Sequence, residues 1–239
     1  MIEPGDDLAS LIIKAINEES IIIDDGDVFA IAQKIVSKSE NRYLDLSSVN
    51  PSKEATDLSK KISKEPNFIQ AILNESKKVV KFRMGVLIVE HKLGLININA
   101  GIDLSNVPGE NLALLLPKNP KKSAKVIQKN LAKKLNKKIS IIITDSMTRP
   151  YRSGVINFAL ASHNIQSLVD LKGHRDIYGK KLRGTEVAVA DELASAAGLL
   201  MGQSNEKKPV VLIKGFKQDS SETNDAFDLT VTEKEDLYR

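Results

Sequence analysis

Short apolar runs alternate with amphipathic stretches along this chain, which is the pattern of an α/β protein. Runs rich in β-branched residues, each bounded by polar turns, predict buried strands at 28–32, 86–89, 95–98, 139–143 and 210–213. Apolar residues three and four positions apart predict helices beginning near Asp7, Ser52, Pro66 and Ala190. We therefore predict strands and helices that share one core.

The first predicted helix follows Pro4-Gly5-Asp6-Asp7, where acidic residues suit the positive end of the helix dipole. We expect its apolar face to turn inward; that face comprises Leu8, Leu11, Ile12, Ala15 and Ile16. His91-Lys92-Leu93-Gly94 separates two of the strands and predicts a β-hairpin. We predict a main domain of 1–85 and 139–239, with 86–138 as a smaller inserted lobe.

Charge is unevenly distributed along the chain. The formal net charge is +4, yet 117–138 holds many lysines and no acid, whereas 217–239 is mostly acidic. Ala124, Ile127, Leu131 and Leu135 lie at helical spacing within the lysine stretch, which indicates an amphipathic helix with a solvated basic face. A nucleic-acid surface is the alternative, but base-stacking aromatics are missing from this stretch.

Cysteine is absent, which excludes disulfides and cysteine–zinc sites and is typical of a reducing compartment. No signal peptide is visible, and no apolar run approaches membrane-spanning length. We expect a cytoplasmic protein that does not bind membranes. Aromatic residues make up 4% of the chain, so the core is built from aliphatic side chains.

The most informative polar stretch is 144–154, directly after the apolar run 139–143. Ligands bind at such strand ends in open α/β sheets. Asp145 and Ser146 offer hard oxygen ligands for a cation such as Mg²⁺. Arg149 and Arg152 offer planar forks for phosphate or carboxylate. The alternative is an ordinary strand end followed by a polar loop.

Two other strand exits carry polar groups. Gln33, Lys34 and Lys38 follow the run 28–32, and the two lysines could bind phosphate or be surface charge. Asp103 and Asn106 follow the run 95–98, as site residues or as ordinary turn residues. Carboxylates for a cation beside cations for phosphates are the components of phosphoryl transfer.

Standard motifs do not narrow this chemistry. The sequence contains neither a Walker loop nor a G-x-G-x-x-G stretch. Its three histidines are scattered and have no zinc-like spacing, and no Ser-His-Asp set can be argued.

Five segments, in order, resemble the coenzyme F-420-0:γ-glutamyl ligase family. They are DVFAIAQKIVSKSE from Asp27, NAGIDLSNV from Asn99, TDSMTRPYRSG from Thr144, DIYGKKL from Asp176 and ADELASAAGLLMGQ from Ala190. The terminal DLYR also resembles the C-terminus of many members. Order and spacing agree over nearly the whole chain.

The resemblance implies an α/β ligase with a mixed sheet and two lobes, forming an intertwined homodimer. Such enzymes use GTP to attach L-glutamate to coenzyme F-420-0, forming an amide and then a γ-linked glutamate, and release GDP and phosphate. They need Mg²⁺ or Mn²⁺, as one or two ions, and K⁺ assists.

The resemblance also implies site residues by position. Asp103, Asp145, Ser146 and Gln203 match the divalent-metal ligands. The GTP contacts correspond to Ile2, Gln33, Lys34, Lys38, Asn106, Met201, Gly202, Gln203, Ser204, Asn205, Glu206, Lys207 and Lys208. Arg149 and Arg152 are candidates for a catalytic carboxylate or phosphate clamp, with Tyr178 as a further candidate.

Some positions depart from the family pattern. The chain starts at Met1-Ile2, so only Ile2 remains of an N-terminal nucleotide-contacting segment; either the start lies upstream or this contact is reduced. Ser146 stands where Thr is commoner, Thr148 where Gly is commoner, and Gln203 where some members have Glu.

A related ligase acting on another acid acceptor is the first alternative function, and a nucleic-acid-binding protein using Lys129, Lys133 and Lys134 is the second.

Overall fold

The computed structural model describes residues 1–218 and 222–236, which form a mixed α/β fold. The helices of this part are α1 (Leu8–Glu18), α2 (Gln33–Ser39), α3 (Lys53–Ile62), α4 (Pro66–Asn74), α5 (Pro120–Leu135) and α6 (Val189–Met201). The strands are β1 (Val28–Ala32), β2 (Tyr43–Asp45), β3 (Ser76–Arg83), β4 (Val86–His91), β5 (Ile96–Ile98), β6 (Leu112–Leu114), β7 (Ser140–Arg149), β8 (Arg152–His163), β9 (Val169–Asp170), β10 (Glu186–Val187) and β11 (Val210–Ile213).

The largest sheet has the strand order β11-β1-β7-β8. Strand β1 runs parallel to β7, with Val28 opposite Ser140, and antiparallel to β11, with Val28 opposite Ile213. The sheet is therefore mixed, as predicted. Its centre is apolar because the β1 and β7 residues that pair with each other are buried on both faces.

Two compact units make up the chain. One contains 1–5, 37–118 and 147–155; the other contains 6–36, 119–146 and 156–239. The predicted division into 1–85 plus 139–239, with 86–138 inserted, stays a prediction.

The first unit holds the sheet β3-β4-β5 and the pair β2-β6. Helices α3 and α4 supply most of its apolar core, and Ala55, Ile62 and Ile69 are fully buried there. Ser52 caps α3 by accepting a hydrogen bond from the Ala55 N–H. The predicted hairpin is confirmed, since β4 and β5 pair antiparallel on either side of residues 92–95.

The second unit packs α6 on the mixed sheet. Ala190 and Ala194 of α6 contact a cluster that includes Val28, Ile142 and Ala159. Small side chains along α6 let the helix approach the sheet closely. The lysine-rich helix is also confirmed as α5, which buries Ala124, Ile127 and Leu131.

Three elements differ from the predicted pattern or were not predicted by it. Helix α1 buries Leu8, Ile12 and Ile16 as predicted, but Leu11 and Ala15 face solvent because its buried stripe is narrower. Strand β3 was not predicted, because its mostly exposed, lysine-rich sequence lacks an apolar run. Within the acidic C-terminal stretch, residues Ala226–Leu229 form a 3₁₀ turn, in which Ala226 is buried.

The terminal DLYR motif lies largely outside the described residues, which end at Asp236. Within the described part, no helix combines the length and apolar character needed to span a bilayer.

Candidate functional site

The polar stretch 144–154 belongs to two paired strands and the turn between them, instead of a strand end followed by a loop. Strand β7 continues through Asp145 and Ser146 to Arg149, and β8 begins at Arg152 after a turn at Pro150-Tyr151. The strand is therefore longer than the predicted run 139–143, although its buried part ends at Thr144 as that run indicates. After Thr144 the strand leaves the core, and its residues alternate between half-buried and exposed.

Asp145 and Ser146 contact each other in the second unit. The Ser146 N–H donates to Asp145 Oδ1 over 2.8 Å. The Asp145 side chain is half-buried and Ser146 is exposed. Asp145 and Ser146 therefore bring a carboxylate and a hydroxyl, hard oxygen ligands by their chemistry, to consecutive positions of β7.

Arg149 and Arg152 lie in the first unit, on opposite sides of the turn. Arg149 Nη1 is fully buried and has no hydrogen-bond partner among the described residues, whereas Arg152 is exposed. A buried guanidinium N–H without a partner costs free energy unless an acceptor satisfies it. Because Nη1 is covered by protein, a carboxylate or phosphate oxygen could reach it only after the Arg149 side chain moves.

The first unit also brings together two predicted nucleotide contacts. The Lys38 ammonium donates to the backbone carbonyl of Asn106 over 2.7 Å, and Lys38 is buried near the end of α2. Asp103, three residues before Asn106, is half-buried and exchanges backbone hydrogen bonds with Leu114, both 2.9 Å long. These contacts hold the segment 103–106 in place at Asp103 and at Asn106.

Other predicted contacts lie at element boundaries. Gln33 and Lys34 begin α2 directly after β1; Gln33 is buried and Lys34 is half-buried. Ile2 is half-buried in the first unit, where the Gly5 N–H donates to the Ser39 carbonyl. Tyr178 is largely exposed in a turn of 176–179, which is closed by a hydrogen bond from the Gly179 N–H to the Asp176 carbonyl.

The loop from Met201 to Lys208 begins where α6 ends. Gly202 has a φ of +73°, and a Cβ there would overlap the Glu206 carboxylate, so only glycine fits. The Ser204 N–H donates to Glu206 Oε2 over 2.8 Å. Backbone N–H groups, that of Ser204 foremost, lower the pKa of Glu206. The remaining residues of the loop, from Gln203 to Lys208, are exposed.

Gln203 contacts Asn157, a residue outside the predicted set. Gln203 Nε2 donates to Asn157 Oδ1 over 2.7 Å, and Asn157 is buried on β8. The sequence carries a signal for Asn157, because it interrupts the apolar run from Val155 to Ala161. Asp191 was also missed; burial raises its pKa, and its Oδ1 accepts the Ala159 N–H over 2.8 Å.

The predicted metal ligands suit a hard divalent cation by their chemistry. No cluster of three or more histidine, cysteine or acidic side chains occurs in the described ranges, and the predicted set needs only two acids. Since Gln203 uses its nitrogen for Asn157, its amide oxygen is the atom suited to a cation. Asp103 belongs to the first unit and the other three ligands to the second, and the set as a whole stays a prediction.

Comparison with known proteins gives the same family as the sequence motifs. The family model described as F420-0:Gamma-glutamyl ligase matches residues 1–215. A protein of Methanothermobacter thermautotrophicus named "Coenzyme F420:L-glutamate ligase" is 41% identical over 216 residues, covering 90% of this chain and 85% of its own. Proteins of the same name are 41% identical in Methanocaldococcus jannaschii (91% and 86% covered) and 37% identical in Archaeoglobus fulgidus (90% and 84% covered). The chain therefore belongs to the F420-0:gamma-glutamyl ligase family.

Proposed function

We propose that this chain is a GTP-dependent ligase that joins L-glutamate to the terminal carboxylate of coenzyme F420-0. Family membership over residues 1–215 carries the proposal. The name that the relatives share supports the choice of substrates. We further propose that a second glutamate is added in γ-linkage and that the enzyme works as a two-lobed homodimer.

The reaction has two group-transfer steps. A carboxylate oxygen of the coenzyme forms a bond to the γ-phosphorus of GTP, and the bond to the bridging oxygen breaks to release GDP. The glutamate amine then attacks the acyl carbon of the resulting acyl phosphate. The C–O bond to phosphate breaks, phosphate departs, and the amine proton is lost to solvent or a base.

The chain's own residues serve these steps by holding negative charge in place. Lys38 and Asn106, which contact each other, would hold the triphosphate with Gln33, Lys34 and the loop 201–208. Arg149 would orient the reacting carboxylate or the moving phosphoryl group through its planar guanidinium, once the side chain moves to meet the ligand. Positive groups fixed in advance stabilise the transition state because they need no rearrangement as charge develops.

Asp103, Asp145, Ser146 and Gln203 would hold Mg²⁺ or Mn²⁺, as one or two ions, with K⁺ as an accessory ion. A bound divalent cation neutralises phosphate charge during the transfer. The residues fit that role as hard oxygen donors.

A ligation assay with an omission series tests this proposal. The purified chain is incubated with F420-0, L-glutamate, GTP and Mn²⁺, and the deazaflavins are analysed by mass spectrometry. We expect glutamyl adducts only in the complete mixture. Asp145→Asn keeps the acceptor for the Ser146 N–H but removes the charge; we expect it to lose more than the about 10- to 100-fold typical of outer-shell metal partners. Full activity without a divalent cation would contradict the metal assignment. When a panel of other acids replaces F420-0, glutamyl adducts on those acids, with none on F420-0, would support the alternative acceptor.

A further inference from the structure

Asn157 is a polar side chain in an apolar setting. It lies on β8, is 7% exposed, and is followed by the buried residues Phe158, Ala159 and Leu160. Burying a primary amide is costly unless its donors and acceptor are satisfied. Its contacts therefore indicate what the side chain is for.

Those contacts have a defined direction. Asn157 Nδ2 donates to Thr144 Oγ1 over 3.4 Å and approaches Met201 Sδ at 3.9 Å. The Thr144 hydroxyl itself donates to Met201 Sδ over 3.6 Å. The thioether sulfur can only accept, so this arrangement, with the Asn157 nitrogen on this side and its oxygen on the other, gives every group a partner.

The oxygen of Asn157 in turn orients Gln203. Because Asn157 Oδ1 can only accept, the Gln203 group at 2.7 Å must be its Nε2. A glutamine amide whose nitrogen is tethered in this way presents its oxygen as the remaining polar atom. Without the tether, an exposed glutamine could place either atom toward a ligand.

The backbone around Asn157 is fixed by α6. Ser195 Oγ donates to the Asn157 carbonyl over 2.7 Å. Gly198 lies so close that a Cβ there would be 2.6 Å from Asn157 Cγ. The absence of a side chain at this position lets α6 pass directly over the Asn157 amide, so the amide has little freedom to move.

We propose that Asn157 is a positioning residue that holds the Gln203 amide with its oxygen toward a divalent cation. This inference rests on the proposed function, in which Gln203 is a metal ligand. Outer-shell partners of this kind orient ligands, and their loss typically lowers metal affinity by about 10- to 100-fold. Because Asn157 acts only through Gln203, its replacement should have no further effect on metal binding once Gln203 is replaced.

A double-mutant cycle read by Mn²⁺ binding tests the proposal. Mn²⁺ affinity of the full chain is measured by electron paramagnetic resonance, without substrates, for the wild type, Asn157→Leu, Gln203→Leu and the double variant. We expect Asn157→Leu to weaken Mn²⁺ binding by about 10- to 100-fold. We expect Gln203→Leu to weaken it at least as much, and the double variant to be no weaker than Gln203→Leu alone.

Two further variants separate positioning from a general loss of structure. Ser162→Ala removes buried hydrogen bonds elsewhere on β8, to Ser167 Oγ and from the Ala226 N–H, and should leave Mn²⁺ affinity unchanged. If Asn157→Leu does not fold, Asn157→Ala avoids added bulk while also removing the acceptor, and should show the same loss.

The outcomes distinguish this inference from the proposed function. Wild-type Mn²⁺ affinity in a folded Asn157 variant, with loss in Gln203→Leu, would overturn the positioning role and leave the metal assignment intact. Wild-type affinity in Gln203→Leu would overturn the metal role of Gln203 and the inference with it. An additive loss in the double variant would mean that Asn157 acts by another route.

Discussion

A single buried imidazole in the first unit shows how the environment of one residue affects stability. His91 is 4% exposed, and its Nδ1 accepts the Leu93 N–H over 2.9 Å. Its Nε2 lies 3.8 Å from Glu75 Oε2, which also receives the Arg42 guanidinium at 3.2 Å. Burial, reinforced by the charges of nearby lysines and Arg42, lowers the His91 pKa from 6.5 to about 4. The folded protein therefore holds this imidazole neutral.

Replacing His91 should flatten the acid side of the stability profile. Since the folded-state pKa lies below the unfolded value, the unfolded chain binds more protons between pH 6.5 and about 4. Stability from this group is present above pH 6.5 and is lost as the pH falls toward 4, on the order of 3 kcal/mol in total. In His91→Asn we expect this part of the pH dependence of the unfolding free energy, measured in urea, to disappear.

The matched control for this prediction is His174→Asn, because His174 is exposed on the hairpin that precedes α6. It should leave the pH profile unchanged. A His91→Asn profile as steep as that of the wild type would show that acid sensitivity arises elsewhere.

At the scale of elements, the packing of α6 on the sheet depends on its small residues. Ala190, Ala194 and Ala197 face the sheet, and Gly198 lies against Asn157. Asp191 and Ser195, one helical turn apart, bind the Ala159 N–H and the Asn157 carbonyl of β8. Helix α6 therefore satisfies backbone groups of β8 as well as covering apolar surface.

Gly198→Ala should destabilise the protein even though alanine favours helices. Alanine gains about 1 kcal/mol over glycine in a helix, but a Cβ 2.6 Å from Asn157 Cγ overpacks a buried contact, which costs about 1–3 kcal/mol. We expect a net loss of up to about 2 kcal/mol, seen as a lower urea midpoint with an unchanged m-value. Gly184→Ala, where a Cβ meets nothing within 4 Å, is the control. If Gly198→Ala instead stabilised the protein by about 1 kcal/mol, the full helix-propensity gain, α6 would be able to move away from Asn157.

Elements with an apolar signal could be predicted from the sequence, and those without one could not. The runs 28–32 and 139–143 form strands whose apolar side chains are almost all buried, and short runs of this kind favour strands. Strand β3 and the outer parts of β7 and β8 are exposed and polar, so pairing with neighbouring strands determines them. Such pairing is a tertiary effect that local periodicity does not carry.

In the candidate site too, local sequence patterns predict single residues but not the tertiary contacts between them. Asp145, Asp103 and Lys38 were identified from polar residues after apolar runs, and the resemblance added the loop 201–208. The contacts of Asn157 with Gln203 and Thr144 join residues 46 and 13 positions apart. The sequence shows only that an asparagine interrupts a strand.

At the scale of the whole molecule, family membership supports the proposed acyl-phosphate route to the amide. The family match spans 1–215 and so includes every predicted site residue of both units. The route requires the coenzyme carboxylate to be activated by phosphoryl transfer before glutamate attacks. The proposed roles of the metal ligands, the lysines and Arg149 all depend on this phosphoryl transfer.

Transfer of oxygen-18 from the coenzyme to phosphate tests this route most directly. F420-0 labelled in its terminal carboxylate is incubated with the enzyme, L-glutamate, GTP and Mn²⁺, and the released phosphate is analysed by mass spectrometry. The account predicts one labelled oxygen in phosphate for each amide formed. Glutamyl product accompanied by unlabelled phosphate, or no glutamyl product at all, would contradict it.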